Sequence, residues 1–219
     1  MVKKKNALIS VFDKSGLDKI GKFLIKNNYV IYSTGGSSEY LKRNRIPHFQ
    51  ISKYTKQKEI LHGRVKTLHP KIFGGILATN SKFHQKELVK EKMINFDLLI
   101  INLYPFKETI KKVRKEDEII EMIDIGGHSL IRAAVKNYKK TIIIVDPSDY
   151  QNFIKNFPKT EPARKKYAIK AMNQITNYDI AISNWFQGIY YDKYPLRYGE
   201  NPQQKATALI EGNQFKQLS

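Results

Sequence analysis

The sequence predicts an α/β fold, a mainly parallel sheet flanked by helices. Three observations lead there. Apolar runs of strand length recur at 7–11 (ALISV), 29–33 (YVIYS), 95–103 (NFDLLIINL) and 141–145 (TIIIV). Between them lie stretches whose apolar residues recur at helical spacing. The strongest run ends at Tyr104-Pro105, where proline has no amide hydrogen to give a ladder.

Each element follows in order. After the first strand, Leu17, Ile20, Phe23 and Leu24 mark a helix over 15–27, with Asp13 or Ser15 as its cap. The second strand runs into a turn, Thr34-Gly35-Gly36-Ser37, and a helix over 38–43. Pro47 introduces a short extended piece at 48–51, and HGRVKTLHPKIFGG (62–75) reads as a cation-rich loop. A charged amphipathic helix is expected over 111–123. Another, over 129–137, is introduced by Gly126-Gly127. Asp146-Pro147-Ser148 should cap a helix through Phe157, and 161–191 is mostly helical in pattern. After about Tyr191 the composition shifts to turn and polar residues. Residues 1–191 are therefore expected as one domain, and 192–219 as a linker or the start of something else.

Composition narrows the function. A hydrophobic share of 41% suffices for a packed core. The net charge of +19 suits an anionic partner. Lys far outnumbers Arg, whereas nucleic-acid readers lean on Arg for bidentate contacts, and no recognition-helix, zinc-finger or RNP pattern is present. No specific nucleic-acid partner is expected. Without cysteine, disulfides, thiolate nucleophiles and zinc–thiolate sites are excluded. No run approaches the ~18 apolar residues of a membrane span. The basic start MVKKKNALISVF is too short in its apolar part for a signal peptide, so the expectation is a cytoplasmic protein with no membrane partner.

In a parallel sheet with right-handed crossovers, ligands sit outside the strands' carboxyl ends. Four segments fall there: 12–16, 34–37, 102–104 and 124–127. Ser33-Thr34-Gly35-Gly36-Ser37 follows a strand and opens a helix. It is either an ordinary tight turn or a phosphate cradle of amide hydrogens completed by the Thr34 and Ser37 hydroxyls. Lys14 is either a solvated residue or a second cation for the same anion. In an extended loop, Arg64 and Lys66 would share one side with Val65 turned to the core. The pair could bind an anion or stabilise an oxyanion, or could be two spare surface charges. His62 and His69 flank them, but no acidic or Cys ligand lies nearby, so no metal site is expected. Asp124, between two isoleucines, could pair with Lys136 on the following helix as a proton-passing couple or as a structural salt bridge. Tyr104 aims at the ligand edge or packs at its rim.

With these residues in view, the chain resembles a known family. SVFDKSGL, STGGS, GRVKTLHPK, NLYPF, IDIGG, RAAVKN and VDPSDY stand in the order and spacing of the bifunctional purine biosynthesis proteins, which join an IMP cyclohydrolase to an AICAR transformylase. The resemblance implies a methylglyoxal-synthase-like fold and cyclohydrolase chemistry. In that reaction the carboxamide nitrogen of formyl-AICAR attacks its own formyl carbon, and loss of water gives IMP. No cofactor is needed, and a homodimer is implied.

The resemblance also implies roles for individual residues. Thr34, Gly35, Gly36, Ser37, Lys14 and Arg64 would hold the phosphate and ribose end. Lys66, Thr67, Ile101, Asn102, Asp124 and Ile125 would contact the base side, and Val65, Gly126 and Gly127 complete the binding set. Lys66 would stabilise the alkoxide, Tyr104 orient the carboxamide, and Asp124 with Lys136 relay protons. Three positions depart from the family pattern: Phe12 where Ser is usual, which shifts weight to Ser10 and Lys14, and also His62 and His128. LRYGENPQQKA resembles the opening of the transformylase part, with Arg197 and Tyr198 in its AICAR site. Formyl transfer is not expected of these 219 residues. The alternative is a non-catalytic module of the same fold that binds a phosphorylated ligand.

Overall fold

A computed structural model describes residues 4–113, 115–188, 191–196 and 206–211, the last two segments as backbone only. Arg197 and Tyr198 lie outside the described residues. The chain begins with β1 (Lys5–Ser10), α1 (Leu17–Lys26), β2 (Tyr29–Ser33), α2 (Gly35–Arg43), β3 (Phe49–Gln50) and α3 (Ile51–Thr55). A 3-10 turn at Leu61–Gly63 leads into α4 (Pro70–Leu77), α5 (Lys82–Lys90) and β4 (Leu98–Ile101). Then come α6 (Phe106–Lys112), α7 (Glu116–Ile120), α8 (Gly126–Lys136), β5 (Ile142–Ile144), α9 (Tyr150–Lys155) and α10 (Glu161–Gly188). Two further strands, β6 (Tyr191–Leu196) and β7 (Ala206–Glu211), pair antiparallel with each other.

The main sheet has the order β3-β2-β1-β4-β5, and every pairing in it is parallel. Its strands β4 and β5 are apolar throughout, and β1 is apolar over Ala7–Ile9, because both faces are covered there. On one face Ala7, Ile9, Ile31, Leu98, Ile100, Ile142 and Ile144 pack with Leu17, Ile20 and Leu24 of α1 and Phe153 of α9. On the other, Leu8, Leu99, Ile101 and Ile143 pack with Ile72 and Ile76 of α4, Leu130 and Ile131 of α8, and Ala171 and Ile175 of α10. Neighbouring residues of one strand thus serve opposite layers, as the two-residue period requires. The strand order reverses between β1 and β4. That opens a crevice at the carboxyl edge between the segments that leave them.

Four local expectations need correction. The stretch 62–75 is not all loop: α4 starts at Pro70, with proline in the first turn and the His69 ring accepting the Lys71 amide at 3.1 Å. The helix expected over 111–123 is two, α6 and α7. Val113 turns extended between them, so that Ile110 and Val113 pack against the core while Ile119 is buried in it. The turn at 34–37 is the first turn of α2 itself. The helical pattern expected to Tyr191 ends at Gly188, and Tyr191 begins β6.

Two buried polar side chains lock the far end of α4. Asn137 donates to the carbonyls of Ile76 at 2.7 Å and Ala78 at 3.1 Å, and the Thr141 hydroxyl lies within 3.2 Å of the Ile76 carbonyl. These bonds satisfy carbonyls that the helix end leaves open, and they fix the C-terminal end of α4 to the segment before β5.

Candidate active site

A cavity of about 620 Å³ opens at the carboxyl edge of the sheet, within the usual range for small-molecule sites. Its first wall is the turn after β1, holding Ser10, Phe12 and Lys14; its second is the start of α2. The third is the segment 62–67, and the fourth joins Asn102 and Tyr104 after β4 to residues 120–127 before and at the start of α8. Of the residues picked out from the sequence, Ser10, Lys14, Thr34, Gly35, Gly36, Ser37, Arg64, Lys66, Thr67, Asn102, Tyr104, Asp124, Ile125, Gly126 and Gly127 all line it.

The α2 wall presents a positive field to the cavity. By helix geometry the first amide hydrogens of α2 have no partner within the helix, and the helix field favours negative charge there. Gly35 has φ of +32°, a region open to glycine at little cost. A Cβ placed on Gly35 would lie 3.8 Å from the Lys66 ammonium, and one on Gly36 would lie 3.8 Å from that of Lys14. Two lysines therefore flank one glycine pair. The Lys14 ammonium meanwhile donates to the Phe12 carbonyl at 3.0 Å.

The hydroxyls expected to join the cradle divide. Ser37 is buried: its oxygen accepts the Val11 amide at 2.8 Å and donates to the Val11 carbonyl at 3.0 Å. It fastens α2 to the end of β1, and its one donor hydrogen is spent there. Thr34 donates to the Ser10 oxygen at 2.8 Å, which leaves the Ser10 hydroxyl hydrogen able to point into the cavity. Asn102 is likewise a brace. Its carbonyl oxygen accepts the amides of Phe12 at 2.6 Å and Asp13 at 3.0 Å, and its nitrogen donates to the Asp13 carbonyl at 2.9 Å. It shapes the Phe12–Lys14 turn, with one amide hydrogen left over.

Three predicted site residues do not line the cavity. Val65 forms a bridge with Ile60 in which both its backbone groups are used. Ile101 is fully buried in the core on β4. Lys136 is exposed at the last position of α8. Ten residues from the helix start, at 1.5 Å each, put it roughly 15 Å along the axis. The expected Asp124–Lys136 couple is not formed within this chain.

Arg64 and Lys66 also depart from the same-side expectation, because the backbone there is not extended. Leu61 and His62 have φ of +52° and Gly63 +87°, and Arg64 is helical. Arg64 pairs with Glu121 across the cavity mouth, which holds the Glu121 carboxyl below the usual range. Lys66 turns inward, 3.6 Å from Glu59. Glu59 and Glu121, counter-ions to the two cations, had no sequence signal. Glu121 reaches Arg64 only because α7 ends beside the 3-10 turn.

Asp124 sits opposite. Burial pushes its carboxyl above the usual range, partly offset by the Gly127 amide at 2.6 Å and the charges of His128 and Lys66. The two glycines permit this packing. A Cβ on Gly126 would lie 2.8 Å from the Thr67 hydroxyl, and one on Gly127 2.6 Å from the Asp124 carboxylate. Tyr104 packs edge-on against Phe12 with centroids 5.4 Å apart, giving an aromatic corner beside Lys14. Phe12 is 47% exposed, an unusual state for a phenyl ring that lines a cavity. Among the described residues no cluster of His, Cys, Asp and Glu is arranged to hold a metal.

Comparison with known proteins agrees with this architecture. A model of the MGS-like domain matches residues 16–129. The chain belongs to the MGS-like domain family. A second family model, described as the AICARFT/IMPCHase bienzyme, matches residues 134–219. The bifunctional purine biosynthesis protein PurH of Prochlorococcus marinus (strain MIT 9215) is 46% identical over 232 residues, covering 97% of this chain and 45% of that protein. PurH of Fusobacterium nucleatum subsp. nucleatum is 41% identical, covering 99% and 47%. The resemblance to the bifunctional purine biosynthesis proteins is thus borne out, and the chain spans less than half the length of these relatives. The crystal structure of ForH shares the fold, with a TM-score of 0.73, 24% identity and coverage of 83% of this MGS-like chain and 96% of its own. Among the described residues no helix is long and apolar enough to cross a membrane.

Proposed function

We propose that this MGS-like chain is an IMP cyclohydrolase, closing the ring of formyl-AICAR to give IMP and water. One observation carries the reading. Two lysine ammoniums flank the glycine-opened end of α2 in the same cavity as a half-buried carboxylate of raised pKa. The first half suits a 5′-phosphate. The second suits a proton acceptor more basic than an ordinary aspartate.

In this reading the phosphate takes the α2 amides, the Lys14 ammonium and the Ser10 hydroxyl. The heterocycle lies along Phe12 and Tyr104, with its carboxamide toward Asp124. Ionised Asp124 takes a proton from the carboxamide nitrogen as that nitrogen bonds to the formyl carbon. Lys66 faces the formyl oxygen and stabilises the negative charge that develops on it. Lys66 then gives that oxygen a proton, the hydroxyl leaves as water with the proton that Asp124 returns, and the formamide nitrogen passes its own proton back to Lys66 as the ring C=N bond forms. The reacting atoms belong to one molecule, so holding them in line is the larger part of the catalysis.

Residues 1–191 would form the cyclohydrolase unit, working as a cytoplasmic homodimer, with 192–219 opening a further unit. No formyl transfer is proposed for this chain. One observation favours the second reading, a non-catalytic module that binds a phosphorylated ligand: Lys136, expected in a proton relay, is remote from the cavity. Turnover of formyl-AICAR, followed by IMP absorbance for the parent chain and Lys66→Ala, decides between them. The cyclohydrolase reading expects conversion by the parent and a kcat about 10²-fold lower in the variant. IMP binding without conversion would support the module.

A further inference from the structure

Tyr178 lies in the middle of α10, outside every motif picked out from the sequence, and is 8% exposed. Its hydroxyl accepts the Asp124 amide hydrogen at 2.9 Å and donates to the Met122 carbonyl at 2.7 Å. One phenol thus holds the backbone on both sides of Ile123. This segment belongs to no helix or strand, being the link between α7 and α8. The phenol is itself fixed from two sides, with its ring edge-on to Phe106 at 6.0 Å and tilted against His128 at 6.5 Å. His128 in turn contacts Asp179, the next residue of α10, at 3.0 Å, which ties the start of α8 to the same turn of α10. Burial pushes the Tyr178 phenol up to about 12, so it stays a donor throughout the working range.

We propose that Tyr178 is a positioning residue, setting where the Asp124 carboxylate stands in the cavity. The role rests on the reading of Asp124 as the proton acceptor. The side chain of Asp124 has only the Gly127 amide to orient it among the contacts described, and that bond fixes its rotation, not the place of its backbone. The backbone bond to Tyr178 supplies the second constraint. A carboxylate so placed need not move to meet the substrate, and a misplacement of about 1 Å can cost on the order of 10²-fold in rate.

The test is Tyr178→Phe, which keeps the ring in the core and removes only the oxygen. Tyr167→Phe serves as a control, since Tyr167 also sits on α10 but its hydroxyl meets Asn152 away from the cavity. In Tyr178→Phe we expect kcat for ring closure to fall about tenfold, with KM within about twofold because the phosphate is held on the α2 wall. The acid limb of the kcat–pH profile should move to lower pH, as a loosened Asp124 becomes better solvated. Lys66 and His128 face the Asp124 carboxylate, and Asp179 and Tyr104 lie near the phenol, so their substitutions must be absent from the comparison. Tyr167→Phe should leave both readouts in place.

Parental kcat and pH profile in Tyr178→Phe, beside an inactive Asp124→Asn, would overturn the positioning role alone. Full turnover in Asp124→Asn would overturn the assignment of Asp124, and the positioning role with it. Amide hydrogen exchange of the unmodified chain needs no variant to fold. Protection of the Asp124 amide is expected, and exchange as fast as in an open loop would overturn the proposal.

Discussion

Asp124 is a cavity carboxylate whose charged form burial disfavours. Its folded pKa lies above the unfolded value, with burial as the main cause. Between those two values the folded state binds more protons, so stability falls as pH rises through that window. Above the folded pKa the ionised carboxylate lowers stability by a constant amount. Asp124→Asn, whose oxygen can still accept the Gly127 amide, should therefore raise Tm at pH above the folded pKa, with the gain shrinking as pH falls through it. The same variant should lose about 10²-fold in kcat; thermal melts and turnover across pH check both. Ser37 makes the opposite case. Ser37→Ala removes the partner of both Val11 backbone groups, and should cost about 1–3 kcal/mol of stability with little change in turnover. Denaturant unfolding beside a kinetic assay reads this out. Residue chemistry at these positions was legible in the sequence, because hydroxyls, glycines and cations gather where strands end. Their partners were not. Ser37 and Asn102 have the side chains of ligand-binding residues, but they spend them on Val11, Phe12 and Asp13, contacts that exist only once β1, α2 and β4 are side by side.

At the scale of elements, the strands were the most legible because burial on both faces leaves continuous apolar runs. β2 matches its expected bounds to the residue, and β1, β4 and β5 lie within or overlap theirs. The charged segments were less so. The period over 111–123 continues past the point where Val113 breaks the helix, since extended backbone lets neighbouring apolar residues reach the same core. α4 did have a signal in Pro70, masked by the glycine pair Gly74-Gly75. Gly75 explains that pair: a Cβ there would collide with the Ile94 carbonyl and press on Phe96, so α4 can seat against the approach to β4 only with glycine. Gly75→Ala should cost about 1–3 kcal/mol or more, seen as a lowered midpoint in urea. The α2 end makes a kinetic prediction. In the proposed reading Lys14 lies on the phosphate side and Lys66 on the reacting side, so Lys14→Ala should raise KM with kcat nearly kept, whereas Lys66→Ala should lower kcat. Steady-state kinetics of both variants separate the two roles, and the same pattern in both would merge them.

For the whole molecule, the order β3-β2-β1-β4-β5 does most of the work. It places the ends of β1, β2 and β4 around one crevice, and the links carrying Lys66 and Asp124 close over it. The parallel fold was legible because only α/β order alternates buried strands with helices so regularly. The long reach of Tyr178 to Asp124, 54 residues apart, was not, because nothing in a local pattern points across it. The charge of +19 gathers anions without selecting among them; selection falls to a cavity in which two of the three lining cations, Arg64 and Lys66, are already countered by Glu121 and Glu59. The deciding experiment for the proposed ring closure is incubation of the purified 219-residue chain with formyl-AICAR, following IMP absorbance. Conversion should saturate with substrate and fall by about 10²-fold in Lys66→Ala and in Asp124→Asn alike. A folded chain that binds IMP and leaves formyl-AICAR unchanged would contradict the proposed closure.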